Sequence, residues 1–154
     1  MINNDVIRSV RYMLDLSDAK IVEIIRQTDY EIELPEMVAF LKKEDEEGYL
    51  ECGHRLMGHF LNGLVLYKRG KNGDKPLPPI ELPITNNIIL KKLRVAFELK
   101  DDDIVTILNN AGFKVSTTEL SAFFRKPDHK NYRNCGDQFL RNFLKGLTAK
   151  VRTF

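Results

Sequence analysis

The sequence lacks the features of a membrane protein or a disulfide-rich secreted protein. None of its 154 residues is Trp and only two are Cys, which is too few for a disulfide framework. Apolar runs such as Leu64–Leu66 and Ile88–Leu90 are far shorter than the roughly 20 residues that span a bilayer. The first residues show no basic and apolar leader. We therefore expect a cytoplasmic protein with no membrane partner.

Motifs for catalysis, phosphate binding and metal binding are also missing. The segment after Arg69 contains glycines but does not follow the P-loop pattern. The three His and two Cys show no ligand-pair spacing such as Cys-x-x-Cys. The sequence thus predicts no metal site, no cofactor and no catalytic residue, and it favours a protein that is not an enzyme.

What the sequence does contain is an internal repeat. Shifted against itself by about 83 residues, the chain shows about 21 identities in about 67 positions, roughly 30% where chance gives about 6%. The dipeptide Asn-Asn recurs at 3 and 86, and Cys-Gly recurs at 52 and 135. The pattern predicts two tandem, pseudo-symmetric repeats, residues 1–70 and 86–154, joined by a Gly- and Pro-rich linker, 71–85. We expect the two repeats to pack together as one compact unit.

Each repeat has the apolar periodicity of about four short helices, and neither shows sustained period-two alternation. We therefore predict an all-α fold. Helix starts are indicated by capping residues and by acids in the first turn. The predicted starts are Asn4, Ser17, Asn87, Lys100, the capping box Ser116–Glu119 and Asn134.

Gly63 and Gly146 occupy equivalent positions within the predicted fourth helices. A glycine inside a helix costs roughly 0.5–1 kcal/mol relative to alanine. Its recurrence indicates a close backbone contact, which we place between the two fourth helices. The alternative is an inherited accident of the duplication.

The two repeats carry opposite charges although the whole chain has a net charge of only +2. Residues 1–70 contain 9 basic and 13 acidic residues, and residues 86–154 contain 13 basic and 7 acidic residues. Three explanations stay open. The charge difference could reflect solvated faces that diverged after duplication without a function. Alternatively, the basic repeat binds phosphates, or repeats of unlike charge attract each other within one chain or between chains.

The densest polar segment, 126–138, precedes the predicted fourth helix of the second repeat. Backbone N–H groups at a helix start favour an anion, so the basic residues here predict an anion-binding site. These residues are Lys126, His129, Lys130 and Arg133. Further polar candidates in the segment are Asp128, Tyr132, Cys135, Asp137 and Gln138. The alternative is a solvated loop that leads into a capped helix.

Cys52 and Cys135 lie at predicted helix starts, where the pKa of a thiol can fall. His54 and His129 are near them in sequence, which would suit a Cys–His nucleophile. The competing interpretation, which we favour, is that each Cys is a small buried apolar residue.

Several segments resemble the YehS-like family of bacterial proteins. In the second repeat these are Asn-Asn-Ile-Ile-Leu-Lys-Lys-Leu-Arg-Val-Ala-Phe, 86–97, and the stretch from Pro-Asp-His-Lys-Asn-Tyr to Phe-Leu-Lys-Gly-Leu, 127–147. In the first repeat, 42–49 and 60–64 match as well. The resemblance covers nearly the whole chain, including its two-repeat layout. It implies a small cytoplasmic bacterial protein of unknown function. It does not imply an activity, a cofactor or any site residue for this chain.

The favoured function is a non-enzymatic binding or regulatory module. Its basic second repeat would contact an anionic partner, either nucleic acid or a phosphate ligand. One alternative is a small-molecule-binding protein or enzyme that uses the segment Asp128–Gln138. Another is a structural homo-oligomer, such as a homodimer, assembled through the unlike-charged repeats.

Overall fold

A computed structural model describes residues 1–70 and 76–152 of the chain, and residues 71–75 of the predicted linker lie outside them. The described residues form eight helices and no strand, which confirms the all-α fold of two four-helix repeats. The first repeat contains α1 Asn3–Leu14, α2 Asp18–Arg26, α3 Leu34–Phe40 and α4 His54–Arg69. The second contains α5 Asn86–Ala96, α6 Asp101–Asn110, α7 Thr117–Phe123 and α8 Asp137–Arg152. The chain divides into two compact units, Met1–Ile84 and Thr85–Phe154.

Short amphipathic helices bury one shared apolar face within each unit. Helices of seven to sixteen residues are marginal alone in water, so their packing stabilises them. In the first unit the central aromatic residue is Phe60 of α4, and in the second unit it is Phe143 at the equivalent position of α8. Both are fully buried.

The corner between the first two helices is the same in both repeats. Asp15 and Glu98 both adopt left-handed backbone conformations with φ of 53°. An ion pair then spans each corner: Arg11 to Asp18 at 3.0 Å in the first repeat, and Arg94 to Asp101 at 2.7 Å in the second. The duplication seen in the sequence therefore extends to local backbone and side-chain geometry.

The recurrent glycines do mark close backbone contacts, as predicted, but the contact partner is different. A Cβ atom on Gly63 would lie 2.4 Å from the carbonyl oxygen of Ile24, and one on Gly146 would lie 2.4 Å from that of Ile107. Each glycine thus lets the fourth helix of a repeat approach the second helix of the same repeat. The expectation of a contact between the two fourth helices is corrected accordingly, since the nearest atoms belong to α2 and α6.

Three predicted helix starts need correction. The first helix has Ile2 as its N-cap and the fifth has Thr85, whose hydroxyl accepts from the N–H of Ile88 at 3.2 Å. Asn4 and Asn87 lie inside these helices and are buried. The last helix begins at Asp137 rather than near Asn134. The starts at Ser17, Lys100 and Ser116 are confirmed.

After α4, the proline-rich residues 76–84, which we call the arm, pack back onto that helix within the first unit. The side-chain amide of Asn62 donates to the carbonyl of Pro78 at 3.2 Å, and the N–H of Ile84 donates to Nδ1 of His54 at 3.1 Å. Between these points Ile80 lies against the bare backbone of Gly58, where an added Cβ would be 2.5 Å away. Three positions spaced by four residues on one face of α4 therefore hold the arm.

Candidate functional site

Residues 124–136, here called loop 2, connect α7 to α8 and contain all four of the basic residues predicted to bind an anion. Two successive turns shape this loop. The N–H of His129 donates to the carbonyl of Lys126 at 2.9 Å, and the N–H of Tyr132 donates to the carbonyl of His129 at 3.0 Å. The N–H of Arg133 then donates to the carbonyl of Ala122 at 3.2 Å, which ties the loop to the end of α7.

A buried asparagine of α5 fixes the base of loop 2. The Nδ2 of Asn87 donates to the carbonyl oxygens of Phe123 at 3.0 Å and Arg133 at 2.8 Å. Its Oδ1 accepts from the N–H of Cys135 at 2.9 Å, and Nδ2 of Asn86 donates to the carbonyl of the same Cys at 3.0 Å. The backbone at both ends of the loop is therefore held by one helix. Within the loop, the guanidinium of Arg125 also donates to the carbonyl of Asn131 at 3.3 Å.

Residues 41–53, here called loop 1, have the same frame in the first repeat. Asn4 donates to the carbonyl oxygens of Phe40 and Leu50 at 2.9 and 2.8 Å and accepts from the N–H of Cys52 at 2.8 Å. The backbone turns also recur, with Glu46 N–H donating to Lys43 and Tyr49 N–H donating to Glu46 at 3.0 and 3.3 Å. The two loops are thus one backbone frame present twice.

The two loops carry side chains of opposite charge on this common backbone frame. Residues 43–51 contain one Lys and five acids, whereas the equivalent residues 126–134 contain three cations and one Asp. Lys126, Lys130 and Arg133 are exposed. None of their side chains forms an ion pair with another residue of the described ranges. The structure therefore presents three unpaired cations on one short and well-held loop.

His129 has a defined role in the turn of loop 2. Its Nδ1 accepts from the N–H of Asn131 at 3.0 Å, so the proton of the neutral ring is on Nε2. The side chain is exposed. The surface of loop 2 therefore presents the Nε2–H donor of His129 in addition to its three exposed cations.

The remaining predicted polar residues fall into different environments. Asp128 and Gln138 are exposed and Tyr132 is half-buried. Asp137 is the first residue of α8, and its carboxylate accepts from Nδ2 of Asn86 at 2.8 Å. This carboxylate already places a negative charge at the positive end of α8. The helix start therefore adds little to an anion site, and the attraction for an anion would come from Lys126, Lys130 and Arg133.

Both cysteines are buried free thiols that sit just before α4 and α8. Burial, reinforced by the neighbouring carboxylate of Glu51 or Asp137, raises the pKa of Cys52 and of Cys135 to about 12. Each Sγ donates to the carbonyl of the residue that follows it. The geometry therefore favours the packing role, because a thiolate at neutral pH is disfavoured at both positions.

One cluster was missed by the sequence analysis. Thr28, Arg55, His59 and Asn62 line a cavity of about 270 Å³ in the first unit, with residues 77–80 of the arm on its other side. A second cavity of about 400 Å³ lies between α6 and α8 of the second unit. Neither cavity includes a residue of 126–138. The spacing of Arg55, His59 and Asn62 on one helical face could have indicated the cluster, but the arm that forms its other wall gave no such pattern.

No group of three or more His, Cys, Asp or Glu in the described part of the chain is placed to hold a metal ion. Within the same residues, no helix is long and apolar enough to cross a membrane.

Comparison with known proteins places the chain in a family. A family described as "Protein of unknown function (DUF1456)" matches residues 3–70 and again residues 86–153. The chain is 49% identical over 150 residues to the "Uncharacterized protein YehS" of Escherichia coli (strain K12), covering 97% of this chain and 96% of that protein. No solved structure matches it significantly. The two matches coincide with the two helical repeats, and the chain therefore belongs to the DUF1456 family, as its resemblance to YehS-like proteins implied.

Proposed function

We propose that this protein is a non-enzymatic binding module whose loop 2 contacts a phosphate-bearing partner. The observation that carries the proposal is the pair of loops with one backbone frame and opposite charge. Because Asn4 and Asn87 hold the two loops with equivalent hydrogen bonds, the side chains of Lys126, Lys130 and Arg133 are not required to maintain the frame. Their presence is better explained by a partner than by folding.

The frame also favours binding energetically. A contact loop whose backbone is already fixed loses little conformational entropy when a partner binds. Its exposed cations form no ion pair among the described residues, so an incoming phosphate does not have to displace a carboxylate of the loop frame. Lys126, Lys130 and Arg133 supply charge, and Nε2–H of His129 supplies a directed donor.

We also propose that the protein works in the cytoplasm. Both of its cysteines are free thiols, which suits a reducing compartment. The YehS-like resemblance implied the same location.

A salt titration with matched variants tests the proposal. Binding of the full chain to a fluorescently labelled DNA duplex is measured by anisotropy between 50 and 200 mM salt. With three phosphate contacts, the slope of log K against log salt should be about −2.7, which is about 40-fold weaker binding over that range. Lys126→Gln should reduce the magnitude of the slope by about one.

Loop 1 provides the control. Lys43 is the equivalent of Lys126 and is also exposed, so Lys43→Gln removes the same charge from the same backbone position in the acidic repeat. It should leave affinity and slope unchanged. Arg133→Leu, which copies Leu50 of loop 1, should weaken binding like Lys126→Gln. A parallel titration with inorganic phosphate separates a small phosphate ligand from nucleic acid. Equal effects of Lys43→Gln and Lys126→Gln, or no binding to either probe, would reject the proposal.

A further inference from the structure

The cavity of the first unit brings together polar groups from one helix and apolar groups from the arm. Arg55, His59 and Asn62 come from α4, Thr28 follows α2, and residues 77–80 supply the apolar wall. Its volume of about 270 Å³ is near the lower end of the ~300–1,000 Å³ typical of ligand pockets. The cavity therefore suits a small metabolite-sized molecule with a polar end and an apolar body.

The imidazole of His59 is held in one orientation at this cavity. The hydroxyl of Thr28 donates its single proton to the carbonyl of Ile25 at 2.7 Å. The 2.9 Å contact between this hydroxyl and Nδ1 of His59 therefore has Nδ1–H as the donor. Tyr30 packs on the ring with its centroid 4.5 Å away. The lone pair of Nε2 is left as the hydrogen-bond acceptor of a fixed, neutral ring.

The second polar group of the cavity is a cation. Arg55 precedes His59 by four residues on α4, a spacing that places their Cβ atoms about 6 Å apart on one face. Among the described residues, no Asp or Glu lines the cavity and Arg55 forms no ion pair. Burial, together with the charge of Arg55, lowers the pKa of His59, which keeps the ring neutral at pH 7. A bound group beside Arg55 is therefore expected to be an anion.

The fold itself does not require these residues. In the second repeat, Ala111, Gln138, Asn142 and Lys145 occupy the positions of Thr28, Arg55, His59 and Asn62, and α8 still packs against α6 around Gly146. All four polar positions differ between two repeats with the same architecture. The cluster is thus specific to the first repeat, where the arm forms one wall of the open cavity.

We propose that this cavity binds a small hydroxycarboxylate. Its carboxylate pairs with the guanidinium of Arg55, its hydroxyl donates to Nε2 of His59, and its short apolar body packs on the arm. Arginine suits this role because its planar fork binds both oxygens of a carboxylate. This site is separate from loop 2 in sequence and in charge, so it stands independently of the function proposed above.

Three matched probes test the proposal on the full chain: 2-hydroxyisobutyrate, isobutyrate without the hydroxyl, and tert-butanol without the carboxylate. Imidazole resonances report binding by NMR, and those of His59 are followed separately from those of His54 and His129. We expect 2-hydroxyisobutyrate to shift the His59 resonances saturably, isobutyrate to bind several-fold more weakly, and tert-butanol to cause no saturable shift.

The variants come from the second repeat itself. Arg55→Gln and His59→Asn install the residues found at Gln138 and Asn142, so both should fold, which circular dichroism verifies. Each should weaken 2-hydroxyisobutyrate about tenfold, the effect of one lost charge-assisted or buried hydrogen bond, with ligand-detected NMR as the readout for His59→Asn. Arg141→Gln, a cation removed from α8, should change nothing. The proposal would be overturned if the shift caused by 2-hydroxyisobutyrate did not saturate, if isobutyrate bound equally well, or if Arg55→Gln kept the wild-type affinity.

Discussion

Replacing Asn87 with alanine should unfold the base of loop 2 and lower the stability of the second unit. The side chain forms hydrogen bonds to the carbonyl oxygens of Phe123 and Arg133 and to the N–H of Cys135. All three are lost in Asn87→Ala. Because the bonds connect α5 to both ends of the loop, a single substitution weakens the frame at both ends and leaves only the Asn86 bond to the carbonyl of Cys135 and the backbone bond from Arg133 to Ala122.

The magnitude follows from these three contacts. Each hydrogen bond contributes about 1 kcal/mol net, and a buried N–H left without an acceptor costs about 1–3 kcal/mol more. The N–H of Cys135 is such a group. The expected loss is therefore about 4–6 kcal/mol in the free energy of unfolding. Asn87→Asp keeps the acceptor but loses both N–H donors and turns a carboxylate toward two carbonyl oxygens, so it should cost at least as much.

Urea denaturation of the full chain gives the free energy of unfolding, and hydrogen exchange locates the change at the amides of Arg133 and Cys135. The matched variant is Asn4→Ala, which releases loop 1 instead. It should cost a similar amount of stability, because the three equivalent bonds have similar lengths. Only Asn87→Ala should also weaken anion binding by loop 2.

A loss below about 1 kcal/mol in Asn87→Ala, with unchanged protection of the Cys135 amide, would refute this account of the frame. So would a variant in which both loops lose protection together, because the hydrogen bonds of each asparagine stay within its own repeat.

Three further predictions concern buried groups. Alanine at Gly63 or Gly146 should destabilise the protein in urea by about 1–3 kcal/mol because its Cβ meets a backbone carbonyl, and this outweighs alanine's better helix propensity. With thiol pKa values of about 12, Cys52 and Cys135 should resist a thiol-specific reagent at pH 8 until the chain unfolds. Because burial and a nearby guanidinium lower the pKa of His59 below 6.5, the unfolded chain binds its proton first. Stability should therefore fall as the pH decreases from about 6.5, and His59→Asn should reduce that slope in pH-dependent urea denaturation.

The fold could be predicted because the sequence patterns that indicate it are either local along the chain or present in both repeats. Periodicity identified the helices, capping residues placed the starts at Ser17 and Ser116, and self-alignment identified the two repeats. Asn4 and Asn87 were assigned as N-caps because asparagine is common there. Their actual partners lie 36 to 48 residues away along the chain, a separation that no local rule reports. The joint recurrence of Asn-Asn and Cys-Gly was the available indication.

The candidate site was predicted only as far as charge allowed. Sequence identified Lys126, Lys130 and Arg133, but it could not show that their backbone frame also exists in the acidic loop. The cavity at His59 was missed for a related reason. One wall of the cavity is the arm, and the contact of Ile80 with Gly58 depends on tertiary packing.

The way in which each loop is anchored has a consequence for how such a chain can be modified. A residue outside the loop anchors both of its ends, so these anchors do not depend on the side chains between them. Segments 126–132 and 43–49 can therefore take foreign peptide sequences of the same length that keep the turns at His129 and Gly48. One helical scaffold would then display two independent inserts.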